Sequence, residues 1–118
     1  MMRYNLETNK AKWHEINKTQ MVMEICLIAD NRRRPKDGDY GFAILEPEQP
    51  VNGCAYVQMA CNNGEEELSI EARFLEGDDF QHFHKDTTDL EWLISVFDRF
   101  MDGEVPDTSD WEDWTEEF

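Results

Sequence analysis

CAYVQMACNNGEEELSIEARF, residues 54–74, is the stretch on which the fold turns. Two apolar-rich runs, 54–61 and 66–74, flank Asn62-Asn63-Gly64, and Asn-Gly is the favoured centre of a type I′ hairpin turn because both positions need positive φ. With Asn63-Gly64 as a two-residue loop, Met59 faces Leu68, Val57 faces Ile70 and Ala55 faces Ala72 on one side, while Tyr56 meets Glu71 and Gln58 meets Ser69 on the other. A three-residue loop would set Met59 against Glu67 and Val57 against Ser69. Since a one-residue slip turns the whole apolar set to solvent, the two-residue loop is expected. The hairpin then has one apolar face and one acidic, solvated face.

Upstream, residues 40–45 read as a second strand and residues 46–53, with Pro47 and Pro50, as a connection. Residues 21–29, MVMEICLIA, form an apolar run broken only by Glu24, expected as an interior strand. Residues 30–39 are a charged, turn-rich loop. Its Arg32, Arg33, Arg34 and Lys36 have no interleaved aromatics, which fits a solvated loop better than a nucleic-acid contact. In residues 1–20, Leu6, Trp13 and Ile16 suit the inner side of a short helix.

Downstream, residues 75–87 link sheet to helix. Thr88 and Glu91 have the spacing of a capping box, so a helix is expected over 89–102. Leu90, Leu93, Ile94, Phe97, Phe100 and Met101 recur on one side of it, and Gly103 and Pro106 stop it. Covering the hairpin's apolar face with this helix gives an α+β fold. It has an antiparallel sheet of about four strands, a central β-hairpin and one face covered by an amphipathic C-terminal helix. At 118 residues the chain is expected to be one domain, 1–118, with an acidic, tryptophan-containing segment at 103–118.

That segment repeats the helical pattern in miniature. Ser109 and Glu112 have capping-box spacing, and Trp111, Trp114 and Phe118 fall at i, i+3 and i+7. Either these rings fold back onto the domain, or at least one is a contact for a partner, because tryptophan is enriched at binding hot spots. Residues 101–118 hold eight carboxylates and no Lys or Arg. Residues 1–59 are balanced, with eight Lys/Arg and eight Asp/Glu, whereas residues 60–118 have three against nineteen, so the whole net charge of −16 belongs to the second half. Such asymmetry opposes direct binding to nucleic acid or anionic membranes and favours a basic protein partner.

Chemistry finds little footing. There is no Gly-rich phosphate loop, Gly-x-Ser-x-Gly or nucleophilic cysteine context. Cys26, Cys54 and Cys61 lie in apolar, strand-like runs and read as small buried hydrophobes. His82-x-His84, with Asp78, Asp79 and Asp86 nearby, is the one metal-like cluster, because alternate residues of an extended segment point the same way. Without a Cys pair or a His-Glu-x-x-His helix, neither metal nor cofactor is expected. No apolar run approaches a membrane span and residues 1–7, MMRYNLE, lack the apolar stretch of a secretory leader, so a cytoplasmic protein is expected.

In size, charge and aromatic placement the chain resembles the immunity proteins that neutralise bacterial nuclease toxins, those of contact-dependent inhibition systems and colicins among them. The resemblance implies no enzyme activity and a basic toxin domain as partner. A carboxylate-rich surface would occupy the toxin's basic cleft in place of phosphates. The contact residues expected are Asp110, Trp111, Glu112, Asp113, Trp114, Glu116 and Glu117 in the tail, with Glu65, Glu67 and Glu71 on the hairpin. Two other classes compete. One is a nucleic-acid mimic against a restriction or CRISPR effector, which the neutral first half disfavours. The other is a hydrolase or metal-dependent enzyme built on Asp78, Asp79, His82 and His84.

Overall fold

The structure is a computed structural model, and it describes residues 2–30, 32, 41–62 and 66–118. Its elements are β1 (Tyr4–Thr8), β2 (Lys12–Trp13), α1 (Lys18–Asp30), β3 (Phe42–Pro47), β4 (Cys54–Cys61), β5 (Leu68–Glu76), β6 (Asp79–Thr87), α2 (Leu90–Met101) and β7 (Glu112–Asp113), followed by a 3-10 turn at Thr115–Glu117. All strands join one antiparallel sheet in the order β2-β1-β3-β4-β5-β6-β7.

Among the described residues the expected sheet of about four strands is therefore corrected to seven, with two helices, and the amphipathic helix is not C-terminal. Residues 102–118 follow α2 and return to the sheet edge as β7. In place of the short helix expected within residues 1–20, residues 4–13 form the β1–β2 hairpin, with Leu6 opposite Trp13, and helix begins only at Lys18. Tyr4, Leu6 and Thr8 are buried while Asn5 and Glu7 alternate outward, which is the period of a strand. Residues 75–87 are not a link but the end of β5 and all of β6, joined by a two-residue turn. Gly77 takes its first position at φ 58, the conformation a II′-type hairpin turn asks of glycine.

The apolar run 21–29 is helix, not strand. Asn17 caps it, its Oδ1 accepting the Gln20 backbone N–H at 2.8 Å, and Met21, Ile25 and Ala29 form the buried stripe at i, i+4 and i+8. The run looked evenly apolar because Met23 and Leu27, half or more exposed, occupy the outer side. Cys26 thus lies on a helix and is half-buried, whereas Cys54 and Cys61 are buried.

The central hairpin exists in a different register: Met59 pairs with Ile70, Val57 with Ala72, Gln58 with Glu71 and Cys61 with Leu68. Six residues, 62–67, connect the paired ends, and the expected Asn63-Gly64 turn lies outside the described residues. The offset is two residues, which leaves every side chain on its original face, so the apolar pattern could not detect it.

Helix α2 begins one residue late. Asp89 is its cap, Oδ1 accepting the Trp92 N–H at 3.0 Å. Its C-terminus closes with Gly103 N–H to Phe100 O and Glu104 N–H to Arg99 O, with Gly103 at φ 88, a Schellman motif. Leu93, Val96, Phe97 and Phe100 meet Met21, Ile25, Leu6, Leu45, Val57, Met59 and Ile70 in one core. Tyr4 crosses it, its hydroxyl donating to Phe100 O at 2.5 Å. No helix among the described residues is long and apolar enough to cross a membrane.

Candidate functional site

Directly paired residues share a sheet face, so the register draws the face opposite the helices. One row crosses all seven strands: Lys12, Glu7, Ile44, Gln58, Glu71, His84 and Glu112. Beside it run Tyr56, Arg73 and His82. This face is mostly polar, Ile44 being the apolar member of the row, and its two ends differ.

At the β1–β4 end lies an open depression of about 230 Å³ whose lining includes Glu7, Lys12, Ile44, Glu46, Tyr56 and Gln58. At the β5–β7 end the tail covers the sheet. Trp114 donates its backbone N–H to His82 O at 2.7 Å, and the Thr115 hydroxyl oxygen accepts the His82 backbone N–H at 3.0 Å. The Trp114 ring stacks on His84 with centroids 3.6 Å apart and planes 3° from parallel. Phe118 packs against His82 at 4.4 Å and Phe80 at 6.1 Å.

Under that cover sits a chain of charged and polar groups. Arg73 Nε–H donates to His82 Nδ1 at 3.2 Å, so that nitrogen supplies a lone pair and the ring proton belongs on Nε2. Nε2 in turn donates to Glu71 Oε1 at 2.5 Å. The other Glu71 oxygen lies 3.7 Å from His84 Nδ1, and His84 Nε2 is 3.0 Å from Asp86 Oδ1. His82 is fully buried and the Glu71 side chain only 15% exposed. A cation and a carboxylate are thereby bridged through one buried imidazole, whose low-dielectric surroundings strengthen the hydrogen bonds it makes.

The contact residues expected from the sequence divide. Glu112, Asp113, Glu116 and Glu117 are exposed along the β7 rim. Asp110 is exposed but ion-paired to Lys85 Nζ at 2.7 Å. Glu112 Oε2 accepts the Trp114 indole N–H at 3.0 Å. Asp113 binds Thr115 Oγ1 and N, and these bonds, the side-chain one first, hold its carboxyl below the ordinary 3.8. Trp111 is core, buried against Trp92 with ring centroids 6.1 Å apart. Trp114 is half-buried on His84. The expected 109–118 helix is replaced by a short strand and a 3-10 turn, so the three rings do not share one side. Glu67 is half-buried ahead of β5, Glu71 is engaged beneath the tail, and Glu65 lies outside the described residues.

His82 and His84 do point the same way. Their partners, however, are Glu71, Arg73 and Asp86, and Asp79 has the opposite strand parity. Among the described residues no three His, Cys, Asp or Glu side chains are grouped to hold a metal ion. Sequence reasoning missed Arg73, Tyr56 and the roles of the two histidines. The signal was present in Phe80, His82 and His84, which alternate with Gln81 and Phe83 directly after a Gly77-Asp78 turn.

Comparison with protein-family models, with curated proteins and with solved structures found no match.

Proposed function

We propose that this chain is a small acidic cytoplasmic binding protein that neutralises a basic partner, an immunity protein whose partner is a bacterial toxin nuclease domain. One observation carries this. The exposed carboxylates Glu112, Asp113, Glu116 and Glu117 follow a single rim of the sheet toward the β5–β6 turn, where Glu76, Asp78 and Asp79 are also exposed. Residues 101–118 contain no Lys or Arg to offset them. A linear array of carboxylates along one sheet edge is complementary to a cleft built for a phosphate backbone, and the chain acts by occupying that cleft. Steering by such a field accelerates encounter and is screened by salt.

The test starts from the partner that co-purifies with the tagged protein, identified and assayed for nuclease activity. Stopped-flow association is then measured across a salt series for the wild type and for Glu112→Gln, Asp113→Asn, Glu116→Gln and Glu117→Gln combined. The combined variant should associate more slowly and with a flatter salt dependence while keeping its fold. Association indifferent to both salt and the substitutions would remove the rim from the interface.

A further inference from the structure

We infer that Arg73, with Tyr56 beside it, forms a binding site for a planar carboxylate on the open face of the sheet, separate from the acidic rim.

Arg73 is held by one hydrogen bond and by aromatic rings. Its Nε is fixed by His82 Nδ1 at 3.2 Å, and His82 is fixed by Glu71 at 2.5 Å. The guanidinium carbon lies 4.2 Å from the centroid of the Phe80 ring, 4.6 Å from that of Phe118 and 5.7 Å from that of Tyr56. One edge of the guanidinium is therefore spent on the imidazole and its plane is gripped by rings, which removes most of the rotamer freedom an arginine ordinarily loses on binding. Among the described residues the two terminal nitrogens have no hydrogen-bond or ion-pair partner, and neither is sealed from solvent. What remains is the outer fork: parallel N–H donors in the geometry that receives two oxygens of one carboxylate.

The neighbourhood supplies a second donor and room for the rest of a ligand. Tyr56 is paired with Arg73 across β4 and β5 and also lines the 230 Å³ depression, so the tyrosine is shared between the fork and that space. Burial, ahead of all other causes, raises the Tyr56 hydroxyl above its ordinary 10.0, which keeps it an O–H donor at neutral pH. Its hydroxyl has no hydrogen-bond partner among the described residues. The fork's single positive charge stands in a chain of net charge −16, which suits a monoanion better than a phosphate dianion, because each extra negative charge meets the whole protein's field.

The experiment uses the intact protein and two probes, sodium benzoate and inorganic phosphate, each titrated at constant ionic strength against sodium chloride. The readouts are the Arg73 Nε–H resonance and the backbone amides of Tyr56 and Arg73. Benzoate should shift them saturably with a dissociation constant of about 1 mM to 10 mM, the scale of one charge-assisted bidentate contact. Arg73→Lys, which keeps the charge and loses the fork, should bind about tenfold more weakly or worse. Tyr56→Phe should bind several-fold more weakly with its ring retained. Unsaturated shifts in the wild type, equal binding by Arg73→Lys, or phosphate binding as tight as benzoate would each overturn the assignment. Should Arg73→Lys fail to give a folded spectrum, Tyr56→Phe decides, and unchanged benzoate affinity there overturns it.

Discussion

Glu71→Ala tests whether the polar chain under the tail holds this end of the sheet. The substitution removes the acceptor of the His82 Nε2–H, and His82 is fully buried, so water does not replace it. A hydrogen bond to a charged group contributes about 1.5–3 kcal/mol, and a buried donor left unpaired costs about 1–3 kcal/mol; these overlap, giving an expected loss of about 2–3 kcal/mol. For a chain of this size that corresponds to a fall in melting temperature of roughly 10 °C. Urea denaturation followed by tryptophan fluorescence measures it, with an unchanged slope showing that the folded and unfolded states have kept their compactness. Glu71→Gln keeps an oxygen for the imidazole and should lose only about 1 kcal/mol. Glu71→Leu combined with His82→Leu removes donor and acceptor together and should regain part of the loss. A change under about 0.5 kcal/mol for Glu71→Ala, the range of ordinary surface substitutions, would refute the network's structural role.

Phe97 is fully buried at the centre of the α2 stripe, and Phe97→Ala should cost about 3–5 kcal/mol in the same urea assay; a near-neutral result would mean the helix face is wrongly assigned. Asp113 provides the pH dependence. Its carboxyl is depressed below 3.8 by Thr115, so its contribution is fully present above that value and is lost as pH falls through the folded one. In an acid titration followed by NMR, the Asp113 carboxyl and the Thr115 amide should move together with a midpoint below 3.8, and a midpoint above it would contradict the bonding described.

How much was legible in the sequence depends on which residues carried redundant signals. Helix α2 announced itself through an apolar stripe and a glycine stop, and only its cap moved, from Thr88 to Asp89, because two adjacent residues both offered a side-chain oxygen. Helix α1 was misread because a nine-residue apolar run fits a buried strand as well as a helix, and Asn17, which settles it, lies four residues upstream. The hairpin's faces were readable from its alternation, whereas its register was not, since a shift of two preserves the faces. The acidity of the tail could be seen from charge alone, but not its place as a strand on the sheet edge, because helical spacing was read where β7 forms. The Arg73 site could not: it depends on β5, β6 and the tail converging from residues 73, 82 and 118.

The strand order carries a consequence for how the molecule opens. Strands β3 to β6 are a meander in which each strand pairs with the next in sequence, while β1 reaches β3 only across α1, and β7 reaches β6 only across α2. The meander closes through short connections, and the outer pairings must first span a helix, a larger loop-closure cost before any ladder forms. Breathing of the native state should therefore peel the sheet from both rims inward: β2 and β7, two residues each, exchange their amides first, and β4 and β5 last. The rim that bears the carboxylates is thus the part of the sheet that opens most readily, while the rows behind it stay closed.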